Sequence, residues 1–359
     1  MKLKSILSLI LAGAMTLSFA ACSTNETKTE TSTNSNNEVK QEAPAQKPEE
    51  KPAETTPAAP VETEKVDVNI AALKGPTAFG MLQLMEDDAA EKTANDYEFL
   101  LAGAPDEIVG KITSGELDMA AVPTNLGATL YNKTQGGVQL VALNTLGVLY
   151  ILENGETVQS IQDLAGKTVV ATGQGSTPEY ALNMILEKNG LKDSVTVEYK
   201  AEHSEVPPML LNGDASIAML PQPFVTSVLT QNQNIRIALD VTEEWNKTVN
   251  GESDLTMGCV IVRKEFAEEN PDAVNAFLDE YKKSVEFTNA NTAEAAAISE
   301  KYDIIKAAVA EKAIPECNIV FIEGDEMQKI AGGCLEVLFD ANPKSVGGSL
   351  PDEAFYYKR

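Results

Sequence analysis

The chain has 359 residues, with 54 acidic against 28 basic side chains and a formal net charge of −26 at pH 7. Its arginines are Arg236, Arg263 and Arg359, and no stretch gathers basic residues into a patch, which excludes a nucleic-acid binder held by phosphate contacts. The acidity favours solubility and leaves the fold open.

At the start of the chain, Lys2 and Lys4 precede an apolar run, Ile6 to Leu17, that is too short to span a bilayer. Ser18-Phe19-Ala20-Ala21-Cys22 follows, so residues 1–21 read as a secretory signal peptide with small residues before the cut. The cysteine behind Ala20-Ala21 resembles a bacterial lipobox, with Phe19 where an aliphatic residue is usual. On that reading Cys22 carries lipid and becomes the mature N-terminus. The alternative is an ordinary cleaved signal followed by an incidental cysteine. Acyl chains contribute about 0.8 kcal/mol per buried CH₂, so two or three of them hold a protein firmly at a membrane face. From Ser23 to Glu64 the only large aliphatics are Val39 and Val61, and Pro44, Pro48, Pro52, Pro57 and Pro60 recur. Residues 22–64 are therefore expected to be a lipidated, disordered tether.

Residues 65–359 then alternate between strand-like and helix-like patterns. Strands are expected at 66–73, 97–101, 119–122 and 138–143, with helices through Met81–Met85, Asp106–Ile112 and Leu126–Tyr131 between them. A second series of the same grammar places strands at 148–152, 168–171, 195–199, 217–220 and 235–239. The helices between these are Glu179–Asn189, Val206–Leu211 and Phe224–Thr230. A further strand at 259–262 leads into helices at Pro271–Asn289, Thr292–Lys301, Ile305–Ala313 and Glu326–Phe339. Short β-α-β crossovers imply an α/β architecture in two lobes, each a mostly parallel sheet flanked by helices, with a ligand cleft between them. Lobe 1 is expected to comprise residues 65–147 and 258–359, and lobe 2 residues 148–257.

Catalytic patterns are scarce. His203 is the only histidine, and Lys200-Ala201-Glu202-His203-Ser204-Glu205 reads as a solvated polar connection. The chain has no GxSxG, HExxH or DxDxDG sequence, and Cys259, Cys317 and Cys334 form no CxxC pair, so neither a hydrolase, a metal site nor a bound cofactor is expected. Cys317 and Cys334 either pair in an oxidising compartment or stay as buried thiols.

The loops at strand ends are more informative. Gly173-Gln174-Gly175-Ser176-Thr177-Pro178 combines two glycines that permit close backbone approach, two hydroxyls, and the start of a helix with free N–H groups. Lys74-Gly75-Pro76-Thr77 is its counterpart in the first lobe, and Lys74 is the one cation beside either loop. Val122-Pro123-Thr124-Asn125 adds a hydroxyl and an amide. Gln222, between Pro221 and Pro223, is either aimed at a ligand or part of a plain tight turn. Trp245 either stacks on a ligand or is partly buried on a helix. The expected ligand-binding set is Lys74, Thr77, Asn125, Gln174, Ser176, Thr177, Gln222 and Trp245.

These loops in this order resemble the substrate-binding lipoproteins of ABC importers, in the branch that includes nitrate, sulfonate, taurine and thiamine-precursor binding proteins. The likeness runs over most of residues 65–345. It rests on Leu73-Lys74-Gly75-Pro76-Thr77, Ala120 to Asn125, Leu164-Ala165-Gly166-Lys167-Thr168-Val169 and Gly173 to Glu179. It also rests on Leu211-Asn212-Gly213-Asp214-Ala215, Leu220-Pro221-Gln222-Pro223 and Val262-Arg263-Lys264-Glu265-Phe266. The resemblance implies a hinge-closing, type II periplasmic-binding-protein-like fold. It implies a monomer that works with a permease and its ATPase at the outer membrane face and has no catalytic role. Many relatives carry Glu where Gln222 stands, so the missing charge favours a neutral or zwitterionic ligand. A sensing lipoprotein that uses the same cleft is an alternative. An enzyme on the same fold, related to pyrimidine-precursor or menaquinone biosynthesis, is another.

Overall fold

The structure is a computed structural model that describes residues 65–359. The expected signal peptide, Cys22 and the tether lie outside the described residues. In chain order the strands are β1 (Asp67–Leu73), β2 (Asp96–Ala102), β3 (Met119–Pro123), β4 (Val138–Leu146) and β5 (Leu149–Asn154). They continue with β6 (Thr168–Thr172), β7 (Thr196–Lys200), β8 (Ile217–Pro221), β9 (Ile235–Asp240), β10 (Thr256–Arg263) and β11 (Ile319–Ile322). One sheet has the order β11-β4-β10-β3-β1-β2 and the other β7-β6-β8-β5-β9.

Strand direction follows from how the chain crosses between the sheets. β1 pairs in parallel with β2 and β3, and β6 pairs in parallel with β7 and β8. β4 ends at Leu146 and β5 begins three residues later in the other sheet, so β5 enters from the side toward which β4 points. It therefore runs antiparallel to both neighbours, β8 and β9. On the way back β10 does the same and lies antiparallel between β3 and β4. β11 also opposes β4, through Ile319 opposite Thr145 and Ile322 opposite Leu143. Both sheets are thus mixed, with parallel pairing across β2-β1-β3 and β7-β6-β8 and antiparallel pairing at β5, β10 and β11. The strand at Ile319–Ile322 is not expected from the sequence, because a four-residue edge strand between helices carries too little periodicity to register.

Side-chain alternation assigns the faces. In the first sheet Val68, Ile70, Ala72, Met119, Ala121, Val260 and Val262 are buried against the helices Leu82–Ala89 and Pro271–Ala290. Ala71, Ala120, Val122, Cys259 and Ile261 point the other way into a second cluster that also takes in Met327, Ala331 and Leu335 of the helix Gly324–Ala341. That second cluster continues into lobe 2 through Ile151, Val169, Ala171, Ile217 and Met219, so one apolar body joins the lobes. Val170, Ala218 and Leu220 face the opposite side of the second sheet. The expected choice for the cysteines resolves as buried free thiols. Cys317 belongs to the cluster on one face of the first sheet and Cys334 to the cluster on the other, so the sheet itself separates them.

The chain ends in a strap. Asn132 Nδ2 donates to the carbonyls of Val346 and Ser349 at 2.7 Å each, Tyr131 donates to Asp352 at 2.5 Å, and the Tyr357 N–H donates to the Leu140 carbonyl at 2.9 Å. Phe355 is fully buried beneath it. This segment fastens the face of the helix Thr124–Lys133 that borders the cleft.

Candidate functional site

A cavity of about 1010 Å³ lies between the two sheets. Lobe 1 contributes the ends of β1, β2 and β3, with Lys74, Pro76, Thr77, the turn Gly103 to Asp106, Pro123 and Leu126. Lobe 2 contributes the ends of β6, β7 and β8, with Gly173 to Ser176, Lys200 to His203, Pro221 and Phe224. Loops that leave the carboxyl ends of parallel strands converge here, which is where open α/β sheets place ligands.

The glycine loop is built by necessity at one position. Gly173 has φ +79°, and a Cβ there would sit 2.7 Å from Pro178 Cγ, so neither backbone nor space admits another residue. Ser176 turns its hydroxyl back to the Gly173 carbonyl at 2.8 Å, and Glu179 takes the Gly175 N–H at 2.5 Å. The N–H groups of Gln174 and Thr177 have no partner among the described residues. In lobe 1, Thr77 donates its hydroxyl to the Leu73 carbonyl at 2.8 Å, which leaves the oxygen's lone pairs available.

Of the expected set, Lys74, Thr77, Gln174 and Ser176 line the cavity together. Four others do not, each for a physical reason. Asn125 and Thr177 are buried and bond each other, Thr177 Oγ1 to Asn125 Oδ1 at 3.1 Å, while Asn125 Nδ2 donates to the Ser345 carbonyl. They form a polar clasp between lobes in place of a ligand contact. Gln222 is 3% exposed and its Oε1 accepts from the Thr226 N–H at 3.2 Å and the Thr226 hydroxyl at 2.8 Å. Its carbonyl thus satisfies the first turn of the helix Phe224–Gln231. Trp245 is fully buried in the cluster shared by the lobes and donates Nε1–H to the Ser253 carbonyl at 3.0 Å.

The polar sequence around His203 predicts a solvated surface residue, and the structure places it elsewhere. It lines the cavity, its Nδ1 lies 2.5 Å from the Thr172 hydroxyl, and its ring packs 5.5 Å from that of Phe224. Burial pushes its pKa down to about 4, so the ring is neutral at physiological pH. The connection after β7 looked solvated because its neighbours are polar; only pairing of β7 with β6 brings Thr172 beside it.

The charge reading also changes. Besides Lys74, the cavity is lined by Lys133, Lys200 and Lys344, against the carboxylates Asp106 and Glu202. Lys74 pairs with the almost fully exposed Asp303 at 3.3 Å, while Lys133, Lys200 and Lys344 have no ion pair among the described residues. A chain of net charge −26 thus has a cleft with a surplus of cations. Because Gln222 lies off the cleft, its missing charge gives no ground for a neutral or zwitterionic ligand.

Residues 104–295 match the NMT1/THI5-like family. The chain belongs to that family. Solved structures share its fold over most of their length. An ABC transporter protein of Parabacteroides distasonis is 22% identical, with a TM-score of 0.68 over 82% of this chain and 100% of that one. The periplasmic aliphatic sulphonate binding protein of Escherichia coli is 14% identical, with a TM-score of 0.65 over 82% and 93%. The alkanesulfonate-binding protein of Xanthomonas axonopodis, bound to MOPS, is 14% identical, with a TM-score of 0.63 over 78% and 94%. At these identities the likeness is one of fold, and that fold is the two-lobed one of periplasmic binding proteins. No curated protein matched the chain.

In this NMT1/THI5-like chain the lining residues that sequence reasoning missed come from distant segments. Lys344, Gly347 and Gly348 belong to the C-terminal strap and Lys133 to the end of the helix Thr124–Lys133. No local motif marks them; the hydrogen bonds from Asn132 to the strap bring them to the cleft.

Proposed function

We propose that this protein is an extracytoplasmic solute-binding lipoprotein that captures a small organic molecule between its lobes and delivers it to an ABC permease and its ATPase. The supporting observation is the cavity itself, formed by both lobes and joined by chain crossings before β5 and β10. On this reading residues 148–257 form a continuous insert that rotates on those crossings, and the Thr177–Asn125 clasp lies near the pivot. Lysines at the cleft attract and hold the solute, while the Gln174 N–H offers a backbone donor. Acylation at Cys22 keeps the protein at the outer membrane face.

Binding without catalysis is favoured by the chemistry of the lining. His203 is neutral and already engaged, and the three thiols at Cys259, Cys317 and Cys334 are in the core, away from the cavity. The test is mass spectrometry of small molecules released from the purified protein, followed by small-angle scattering with each of them. The expected result is a retained solute and a smaller radius of gyration on saturation. An unchanged radius with every retained solute, or membrane attachment that survives Cys22→Ala, counts against the corresponding part.

A further inference from the structure

Among the residues that line the cavity, every aromatic side chain comes from lobe 2 and most of the positive charge from lobe 1. Tyr180, Tyr199 and Phe224 are half-buried, packed in part against the core and open in part to the cavity, and His203 is half-buried beside Phe224. The Phe224 and His203 rings lie 5.5 Å apart with planes inclined at 38°. His203 Nδ1 and the Thr172 hydroxyl share one hydrogen bond, so Nε2 is the ring nitrogen left free, and the neutral ring adds no charge to this wall. Lys200 and Glu202 sit beside it and cancel. Lobe 1 contributes Lys74, Lys133 and Lys344 against Asp106 alone.

We infer that the cleft takes a small aromatic anion, its ring against the lobe 2 wall and its charged group toward the lysines of lobe 1. This rests on the solute-binding reading above and names the chemical class of the solute. A planar ring gains offset-stacked and edge-to-face contacts from such a wall that a saturated ring of equal size does not. A neutral ring gains only cation–π or dipole attraction from the unpaired lysines, less than an anion gains by charge pairing. The three arginines are paired elsewhere, Arg236 with Glu153, Arg263 with Asp118 and Glu265, and Arg359 with Asp279 and Glu323. Recognition of the anion therefore falls to lysines, which act as point charges and lack the planar bidentate fork. The cleft is expected to select for ring and charge more sharply than among carboxylate, sulfonate and phosphate.

The experiment uses the full chain with benzoate, benzenesulfonate and phenyl phosphate, their cyclohexane counterparts, and benzamide. Thermal shift ranks the compounds and calorimetry at two salt concentrations measures affinity. At least one aromatic anion should bind about tenfold or more tightly than its saturated and neutral counterparts, which is about 1.4 kcal/mol. Phe224→Leu should weaken that anion by about threefold to tenfold and leave its cyclohexane counterpart unchanged. A triple Lys74→Gln, Lys133→Gln, Lys344→Gln protein should bind it more weakly and with a flatter salt dependence. The inference is overturned if no aromatic anion binds, if the tightest compound is saturated or neutral, or if neither set of substitutions changes affinity. A saturated or neutral compound that binds and contracts the protein in scattering would end this inference and leave the solute-binding role standing. Absence of any retained solute, together with no binding across the whole panel, would remove both.

Discussion

Replacing Gln222 separates a turn residue from a ligand contact. Gln222→Ala removes the acceptor that serves both the N–H and the hydroxyl of Thr226, at a position that is 3% exposed. Each neutral hydrogen bond is worth about 0.5–1.5 kcal/mol net, so the loss should be about 2 kcal/mol. With an unfolding entropy of about 2.1 cal/mol/K per residue, that lowers the melting temperature of a fold this size by roughly 3 °C. Gln222→Glu keeps that acceptor and faces the N-terminal end of a helix dipole, which favours the charge, while burial opposes it. Its cost should therefore be smaller than that of alanine. Urea and thermal unfolding followed by circular dichroism would measure both. Binding of whichever compound in the panel is tightest should be unchanged in the glutamate variant. Near-wild-type stability of Gln222→Ala combined with a large loss of affinity would show that the amide faces the solute and that the argument from its Thr226 bonds is wrong.

Three further outcomes are expected. At the first lobe crossing, a Cβ on Gly147 would collide with the Thr242 side chain, so Gly147→Ala should cost about 1–3 kcal/mol, and Thr242→Ala in the same chain should recover part of it in a double-mutant cycle. Thr177→Val deprives the buried Asn125 Oδ1 of its donor and should cost about 1–3 kcal/mol in urea unfolding, whereas Thr177→Ser should cost much less. The His203 pKa is depressed to about 4 in the folded protein, against about 6.5 in an unfolded chain, so the unfolded state binds the extra proton first as pH falls. The stability that neutral His203 contributes is present above pH 6.5 and is lost progressively toward about pH 4. His203→Gln should flatten that decline, and equal slopes for the two proteins would exclude it.

The sequence by itself determined the α/β grammar and the two-lobe division of labour, because both rest on local signals. Alternation at Val68, Ile70 and Ala72 and the breaks at Gly75-Pro76 and Gly173 to Pro178 are written into short segments. The same holds for four of the candidate residues in those loops: Lys74, Thr77, Gln174 and Ser176 line the cavity because a strand end carries them there. Residues with two plausible partners were decided only by tertiary structure. Asn125, Thr177 and Gln222 have the donors and acceptors of a ligand contact, yet each finds its partner inside the protein once helices and strands are packed. Trp245 was similarly open until the cluster shared by the two lobes closed over it. The charge of the cleft was beyond local reading altogether. Lys133, Lys200 and Lys344 come from three separate segments, and His203 reaches the cavity wall through the pairing of β7 with β6. A net charge is a sum over the chain, whereas the field in a cleft depends on which few charges the fold brings within a Debye length of one another.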